Sequence, residues 1–344
     1  MSVISENIKK GARVYLYPMT RLEDMASKNP YIDNLISSLA DSIDIVNNQD
    51  FSKLGILNAY KYLTKADIFY FNWLENIPFR KLGIFQFLPT LLLYFILKIS
   101  GKKIIWTLHN KNNHGKKSWL YDILYNLLLT TSDLIILHTN ESRQILHDSN
   151  SRAKIFYNFH PVTASHRKEQ DVYKKEYDIL IWGTMSPYKG VLDFLESQAE
   201  ILKDKKIKII GKFSDSAYFQ KVNKFQSANI SIENRFPTVD ELYKLHQDSK
   251  FVLFPYKADS VFTSGALADA LTFNCNIIGP QVGAFVDLEQ LNLIKTFNNY
   301  SDIKSILNNP LDPSSLNSIR DFCERNSWTN FGKKLGVEIN KLTP

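Results

Sequence analysis

The sequence predicts an α/β protein of two Rossmann-like halves, each a parallel sheet covered by helices on both faces. Three observations predict it. Strand-like apolar runs alternate with helical stretches through both halves of the chain. The runs are short and continuously apolar, as in Phe251–Phe254 before Pro255, which is the pattern of a strand buried on both faces. At 344 residues, 44% hydrophobic and 22% charged, the chain is globular and long enough for two domains.

Val14–Tyr17 is the first strand, ended by Pro18. The polar loop Met19–Asn29 carries Arg21, Glu23 and Asp24, where a Rossmann-like half holds its first ligand loop. Asn29-Pro30-Tyr31 opens an amphipathic helix through Ile32, Leu35, Ile36 and Leu39, and Asp44–Val46 is a short strand. Ala66–Glu75 is a strand running into a loop. Leu82–Ile99 is apolar, with Arg80, Lys81, Lys102 and Lys103 at its ends. Its length is near the lower limit of a membrane span, but Gln86, Pro89 and Lys98 interrupt it. A buried helix is the expectation, with a helix sunk in a membrane interface as the alternative. Lys103–Asn110 and Ser132–Thr139 are strands, separated by the helix Trp119–Leu129. A helix from Glu141 and a strand at Lys154–Asn158 close the first half.

Thr163–Glu176 is polar and charged, the expected linker. Tyr177–Trp182 restarts the strand pattern, and the loop 183–190 leads into a helix from Val191 to Lys203. Strands follow at Lys206–Ile210 and Ile230–Ile232. Phe236-Pro237-Thr238 precedes the helix Val239–Gln247, whose first turn holds Asp240 and Glu241 as its dipole favours. After Phe251–Phe254 comes a helix opened by Thr263-Ser264-Gly265, then the strand Asn276–Gly279. Helices at Pro310–Cys323 and Ser327–Lys341 end the chain. The expected domains are residues 1–165 and 166–325, with residues 326–344 a helix packing back on the first domain.

In a parallel sheet the ligand crevice lies at the C-terminal strand ends. Glu75 and His109 both stand there and are candidate catalytic groups; the alternative is a surface charge at a helix start for Glu75 and a structural histidine for His109. Thr263-Ser264-Gly265 supplies a capped helix N-terminus with small side chains, which suits an anion. Asp269, one turn on, is placed to meet ribose hydroxyls. A diphosphate beside a carboxylate suggests a nucleoside diphosphate, against the plainer reading of an ordinary capped helix.

The net charge is +7, and residues 1–165 hold most of it, with 19 Lys+Arg against 13 Asp+Glu; the rest has 23 against 22. Such a surface suits nucleic acid or an anionic membrane. With no zinc-finger, helix-turn-helix or RNP pattern, the membrane is favoured. No Gly-x-Gly-x-x-Gly follows the first strand, which disfavours a dinucleotide oxidoreductase. Cys275 and Cys323 have no metal spacing and fit a reducing compartment. Met1–Arg13 lack the apolar core of a secretory signal, so a cytoplasmic location is expected.

Three motifs of the second half, in order, resemble the nucleotide-sugar domain of GT-B glycosyltransferases of the family 4-like group. Gly183-Thr184-Met185-Ser186-Pro187-Tyr188-Lys189-Gly190 is similar to their Gly-Arg-x-x-x-x-Lys-Gly loop, with Thr184 in place of Arg. Phe236-Pro237-Thr238 stands where the family contacts the base. Thr263-Ser264-Gly265 and Asp269 stand where it carries two glutamates eight positions apart; Asp269 matches the second, and Val261 occupies the first. In the first half, Asn29-Pro30-Tyr31, Asn72-Trp73-Leu74-Glu75 and Trp106-Thr107-Leu108-His109-Asn110 resemble acceptor-domain motifs of bacterial exopolysaccharide and capsule glycosyltransferases.

The resemblance implies a GT-B architecture and transfer of a sugar from a nucleoside-diphosphate sugar to a saccharide acceptor, carried on a lipid at the inner leaflet. It implies donor contacts at Gly183, Thr184, Lys189, Phe236, Pro237, Thr263, Ser264, Gly265 and Asp269. It places the acceptor's base among His109, Glu75, Glu23 and Asp24 if the enzyme inverts; if it retains, His109 orients the donor sugar. No cofactor and no metal are expected, in keeping with the lack of an Asp-x-Asp motif. A GT-B epimerase and an inactive sugar-nucleotide-binding module are the alternatives.

Overall fold

The computed structural model describes residues 11–19, 30–80, 82–110, 118–149, 151–163, 175–198, 202–257 and 262–343. The first half holds β1 (Arg13–Tyr17), α1 (Tyr31–Leu39), β2 (Asp44–Ile45), β3 (Ile68–Asn72), α2 (Gly83–Ile99), β4 (Lys103–Leu108), α3 (Trp119–Thr131), β5 (Leu134–Leu137), α4 (Glu141–Asp148) and β6 (Lys154–Tyr157). The second half opens with β7 (Tyr177–Trp182), α5 (Val191–Ser197), β8 (Ile207–Ile210), α6 (Ser216–Asn223), β9 (Ile230–Glu233) and α7 (Val239–Asp248). It continues through β10 (Ser249–Leu253), α8 (Gly265–Thr272), β11 (Asn276–Pro280), α9 (Gly283–Glu289), β12 (Lys295–Phe297), α10 (Asp302–Asn308), α11 (Pro313–Arg325) and α12 (Trp328–Asn340).

Two six-stranded sheets carry the fold, in the orders β2-β1-β3-β4-β5-β6 and β12-β11-β10-β7-β8-β9. Every pairing is parallel. The continuous apolar runs are explained by burial on both faces. In the first sheet Phe69, Phe71, Ile104 and Trp106 face α2 and α3, while Ile68, Tyr70 and Ile105 face α1 and α12.

The C-terminal helix α12 packs on α1. Phe331, Leu335 and Ile339 join the core beneath α1, and a Cβ on Gly332 would strike the Ser38 carbonyl, so the two backbones touch closely there. Ala12 donates its N–H to Asn340 Oδ1 at 2.8 Å. The two crossings between the halves run side by side, with Val162 N–H donating to Asn326 O at 3.0 Å.

The sequence does not foretell β12, α6, α9, α10 or the 3-10 helix Gly55–Tyr62, all too short for a clear apolar period. The expectation of a buried helix at residues 82–99 is corrected. One side of α2 is buried, and the other presents large apolar side chains to solvent. Among the described residues no helix is long and apolar enough to cross a membrane.

Candidate functional site

The strand order of each sheet reverses once, between β1 and β3 and between β7 and β10. Such a switch point opens a crevice at the C-terminal strand ends. In the second half the loop 183–190 leaves β7 and the segment from Phe254 to Ser264 leaves β10, so the topology itself brings these two stretches together.

Ser264 caps α8, its Oγ accepting the Leu267 N–H at 3.4 Å. Where a Cβ of Gly265 would stand, no described atom lies within 4 Å. Gly183 holds φ at +116°, a conformation that favours glycine, and the nearest atom to its missing Cβ is Ala266 Cβ at 3.9 Å. Among the described residues, the two glycines therefore leave open space over a helix N-terminus whose first N–H groups lack intrahelical partners.

Lys189 borders this space. Its ammonium lies 3.8 Å from the centroid of the Tyr256 ring and 5.2 Å from that of Tyr188. Tyr256 is buried, and its hydroxyl hydrogen-bonds Ser264 Oγ at 3.2 Å. No carboxylate among the described residues pairs with Lys189, and desolvation pushes its pKa down to about 7. Asp269 stands one turn into α8, where burial pushes its carboxyl up to about 6. Thr184 is exposed and Thr263 half-buried. Phe236 and Pro237 follow β9, at the sheet's far edge: they share its C-terminal side with the Lys189 cluster, without a hydrogen bond or ring contact to it. Thr238 instead caps α7 through Glu241 N–H at 3.2 Å.

The strand tips of the first half gather an aromatic and histidine cluster. His109 follows β4, His138 β5 and His160 β6. His109 stacks on Trp73 at 4.1 Å and 16°. Its Nε2 donates to Asn72 Oδ1 at 3.0 Å. Trp73 itself sits at φ +53°, a strained conformation for a bulky residue. His138 Nδ1 donates to the Asn158 carbonyl at 2.8 Å, so Nε2 is the acceptor for the Tyr31 hydroxyl, also at 2.8 Å. His160 Nδ1 donates to Pro161 O at 2.9 Å. Burial lowers the pKa of all three: His138 to about 3, His160 to about 4, and His109 well below its ordinary value.

Glu75 is neither a surface charge nor open to the crevice. It is 2% exposed, its Oε2 accepts the Trp106 indole N–H at 3.2 Å, and burial raises its pKa to about 7. The short helix after Trp73 turns its carboxyl inward, against the apolar face of the sheet. Asp24, Glu23 and Val261 lie outside the described residues.

The two halves meet beside the open helix start. Phe262 packs into the first half's core. Phe159 and His160 from one half, with Ser264, Leu267 and Ala268 from the other, line a small cavity. Beyond it, Asp287 Oδ2 accepts the Asn140 backbone N–H at 2.8 Å, and Glu141 Oε2 accepts that of Gly283 at 3.0 Å. Sequence reasoning missed Tyr256, His138 and His160. The strand-tip argument that found His109 applies equally to the other two histidines; nothing local marks Tyr256.

No protein-family profile and no curated protein sequence matches the chain. Solved structures do. A glycosyltransferase from Rickettsia africae matches with TM-score 0.65 and 15% identity over 97% of this chain and 98% of its own. HepE from Anabaena, solved with UDP, matches with TM-score 0.60 and 12% identity, covering 90% of this chain and 89% of HepE. TarM matches with TM-score 0.60 and 13% identity over 83% of this chain, which spans only 57% of TarM. With two six-stranded parallel sheets and strand tips meeting across a cleft, the chain has the GT-B fold that these proteins share.

Proposed function

We propose that the chain is a glycosyltransferase that takes a sugar from a nucleoside-diphosphate sugar and delivers it to a saccharide acceptor. The observation that carries this is Lys189, a half-buried amine with no described carboxylate partner, beside a helix start where no described atom stands over Gly265. Negative charge grows on the diphosphate as the glycosidic bond breaks. Lys189 and the N–H groups at Thr263–Gly265 would receive it, and Asp269 would hold the ribose. HepE, which shares the fold, was solved with UDP, so a uridine donor is the first to test.

His109 is the side chain we assign to the reacting centre from the first half. Of the carboxylates, Asp24 suits the acceptor's proton better than Glu75, whose carboxyl is enclosed. We further assign the acceptor to a lipid-linked saccharide of surface-polysaccharide synthesis, reached from the inner leaflet. The basic first half and the apolar exposed side of α2 support this. Val261, where the resemblance places a sugar-binding glutamate, favours one second reading, a binding module without turnover.

Melting the protein with UDP, GDP and their sugars tests the reading, because a ligand that binds only the fold raises the melting point. A shift with one nucleotide and its sugar is expected, followed by nucleotide release when acceptor is supplied. No shift with any of them overturns the proposal; a shift without release selects the binding module.

A further inference from the structure

Among the described residues nothing covers one side of α2. Ile84, Phe85, Leu88, Leu92, Phe95 and Ile99 recur at helical spacing and are 69%, 78%, 72%, 55%, 62% and 68% exposed. The opposite side, with Phe87, Leu93, Tyr94 and Leu97, is buried in the core. Trp119, at the start of α3, adds a second exposed apolar side chain beside this helix: it is 69% exposed, with its ring 6.2 Å from Phe87, a buried residue of α2. Isolated exposed apolar residues need no account, but a contiguous stripe of this size marks an interaction surface.

Charge identifies the occupant. Residues 76–121 carry eight Lys or Arg and no Asp or Glu, between Glu75 and Asp122; Asp133, paired with Lys98 and Lys103, and Asp67, beside Lys102, offset only part of this charge. A second copy of the chain would set one cationic surface against another. An anionic bilayer neutralises the charge and takes up the apolar stripe in the same act. At 17 residues with Pro89 inside, α2 suits lying in the interface plane rather than spanning it.

We infer that the exposed side of α2, with Trp119, docks the protein on an anionic lipid bilayer. In chain order α2 and α3 are the α-helices that follow the strand tips bearing Trp73 and His109. Docking there holds the acceptor crevice at the headgroup level, where a saccharide on a lipid carrier would present itself. The inference rests on the proposed function for this purpose, but its test does not depend on catalysis.

The test is co-sedimentation with vesicles of phosphatidylglycerol and phosphatidylcholine in equal parts, and with phosphatidylcholine alone. The wild type is expected to pellet with the anionic vesicles, less so at high salt, and weakly with the neutral ones. The triple variant Phe85→Ser, Leu88→Ser, Phe95→Ser should bind the anionic vesicles at least about tenfold more weakly. All three positions are exposed, so an unchanged circular dichroism spectrum and an unchanged nucleotide-induced melting shift check that the variant folds. Wild type and variant pelleting equally would overturn the inference. So would a wild type that pellets with neither vesicle, or a dimer seen by light scattering that the variant abolishes. Vesicle binding without any nucleotide shift would leave docking standing and remove the nucleotide-sugar reading.

Discussion

Lys189 rests its ammonium 3.8 Å from the centre of the Tyr256 ring, and Tyr256 hydrogen-bonds the residue that caps α8. A ring face compensates a desolvated ammonium only in part. A diphosphate would complete the pairing. Lys189→Met should therefore weaken nucleoside-diphosphate binding roughly ten- to hundredfold, the scale of a lost hydrogen bond to a charged group. Calorimetric titration of UDP reads this directly, and equal affinities would remove Lys189 from the donor site.

The same lysine should cost the free protein stability. Its pKa is about 7 in the fold against an ordinary 10.5. Between those values the unfolded chain holds a proton that the fold does not, so stability rises with pH across the window. At and below about pH 7 the burial cost is largest. The Lys189→Met variant should thus melt above the wild type at neutral pH, with the gap closing towards pH 10.5. Melting curves of the two proteins over that range decide it; a gap independent of pH contradicts the assignment.

His109 is held from two sides, by the Trp73 ring and by Asn72, and desolvation holds its pKa well below the ordinary imidazole value. His109→Ala should lower transfer by about two orders of magnitude or more while leaving UDP affinity unchanged. Turnover at saturating donor is the measurement. An unaltered rate would make the histidine a packing residue.

Much of this was legible because a parallel sheet writes itself as uniformly apolar runs. Phe69–Phe71 and Ile104–Trp106 are buried on both faces and have no other reading. The loop 183–190 and the start of α8 could be paired from the order of the motifs, and the switch between β7 and β10 places them together. The same uniformity hid the exposed side of α2. Phe85 and Phe87 are alike in sequence, and only the packed fold shows that one is solvated and the other in the core. Glu75 illustrates the opposite limit. A strand-tip position fixes where its backbone stands, but the turn that follows decides whether the carboxyl meets the crevice or the Trp106 indole.

Glu75 has a pKa of about 7 in the fold against an ordinary 4.5. Between these values the fold holds a proton that the unfolded chain has lost, so its contribution to stability falls as pH rises. Glu75→Gln keeps an acceptor for the Trp106 N–H and cannot ionise. The variant's melting point relative to wild type should climb from pH 4.5 to about 7 and then level off. A constant difference would mean that the carboxyl is already ionised in the fold.

Asp287 and Glu141 cap each other's helices across the cleft. Asp287 takes both the backbone and the side-chain N–H of Asn140, at 2.8 and 3.1 Å, at the start of α4. Glu141, the first residue of α4, takes the N–H of Gly283 at 3.0 Å, at the start of α9. Each carboxylate meets the positive end of a helix from the other half, so the contact is directional as well as charged. Asp287 is buried, and removing its carboxylate leaves the Asn140 donors without that partner. Asp287→Ala should cost roughly 1–2 kcal/mol of stability, the range of a lost helix cap. If the pair also holds the halves together, the variant should show a larger radius of gyration by small-angle X-ray scattering, which saturating nucleotide reverses. A lower melting point with an unchanged radius would confine the pair to local capping.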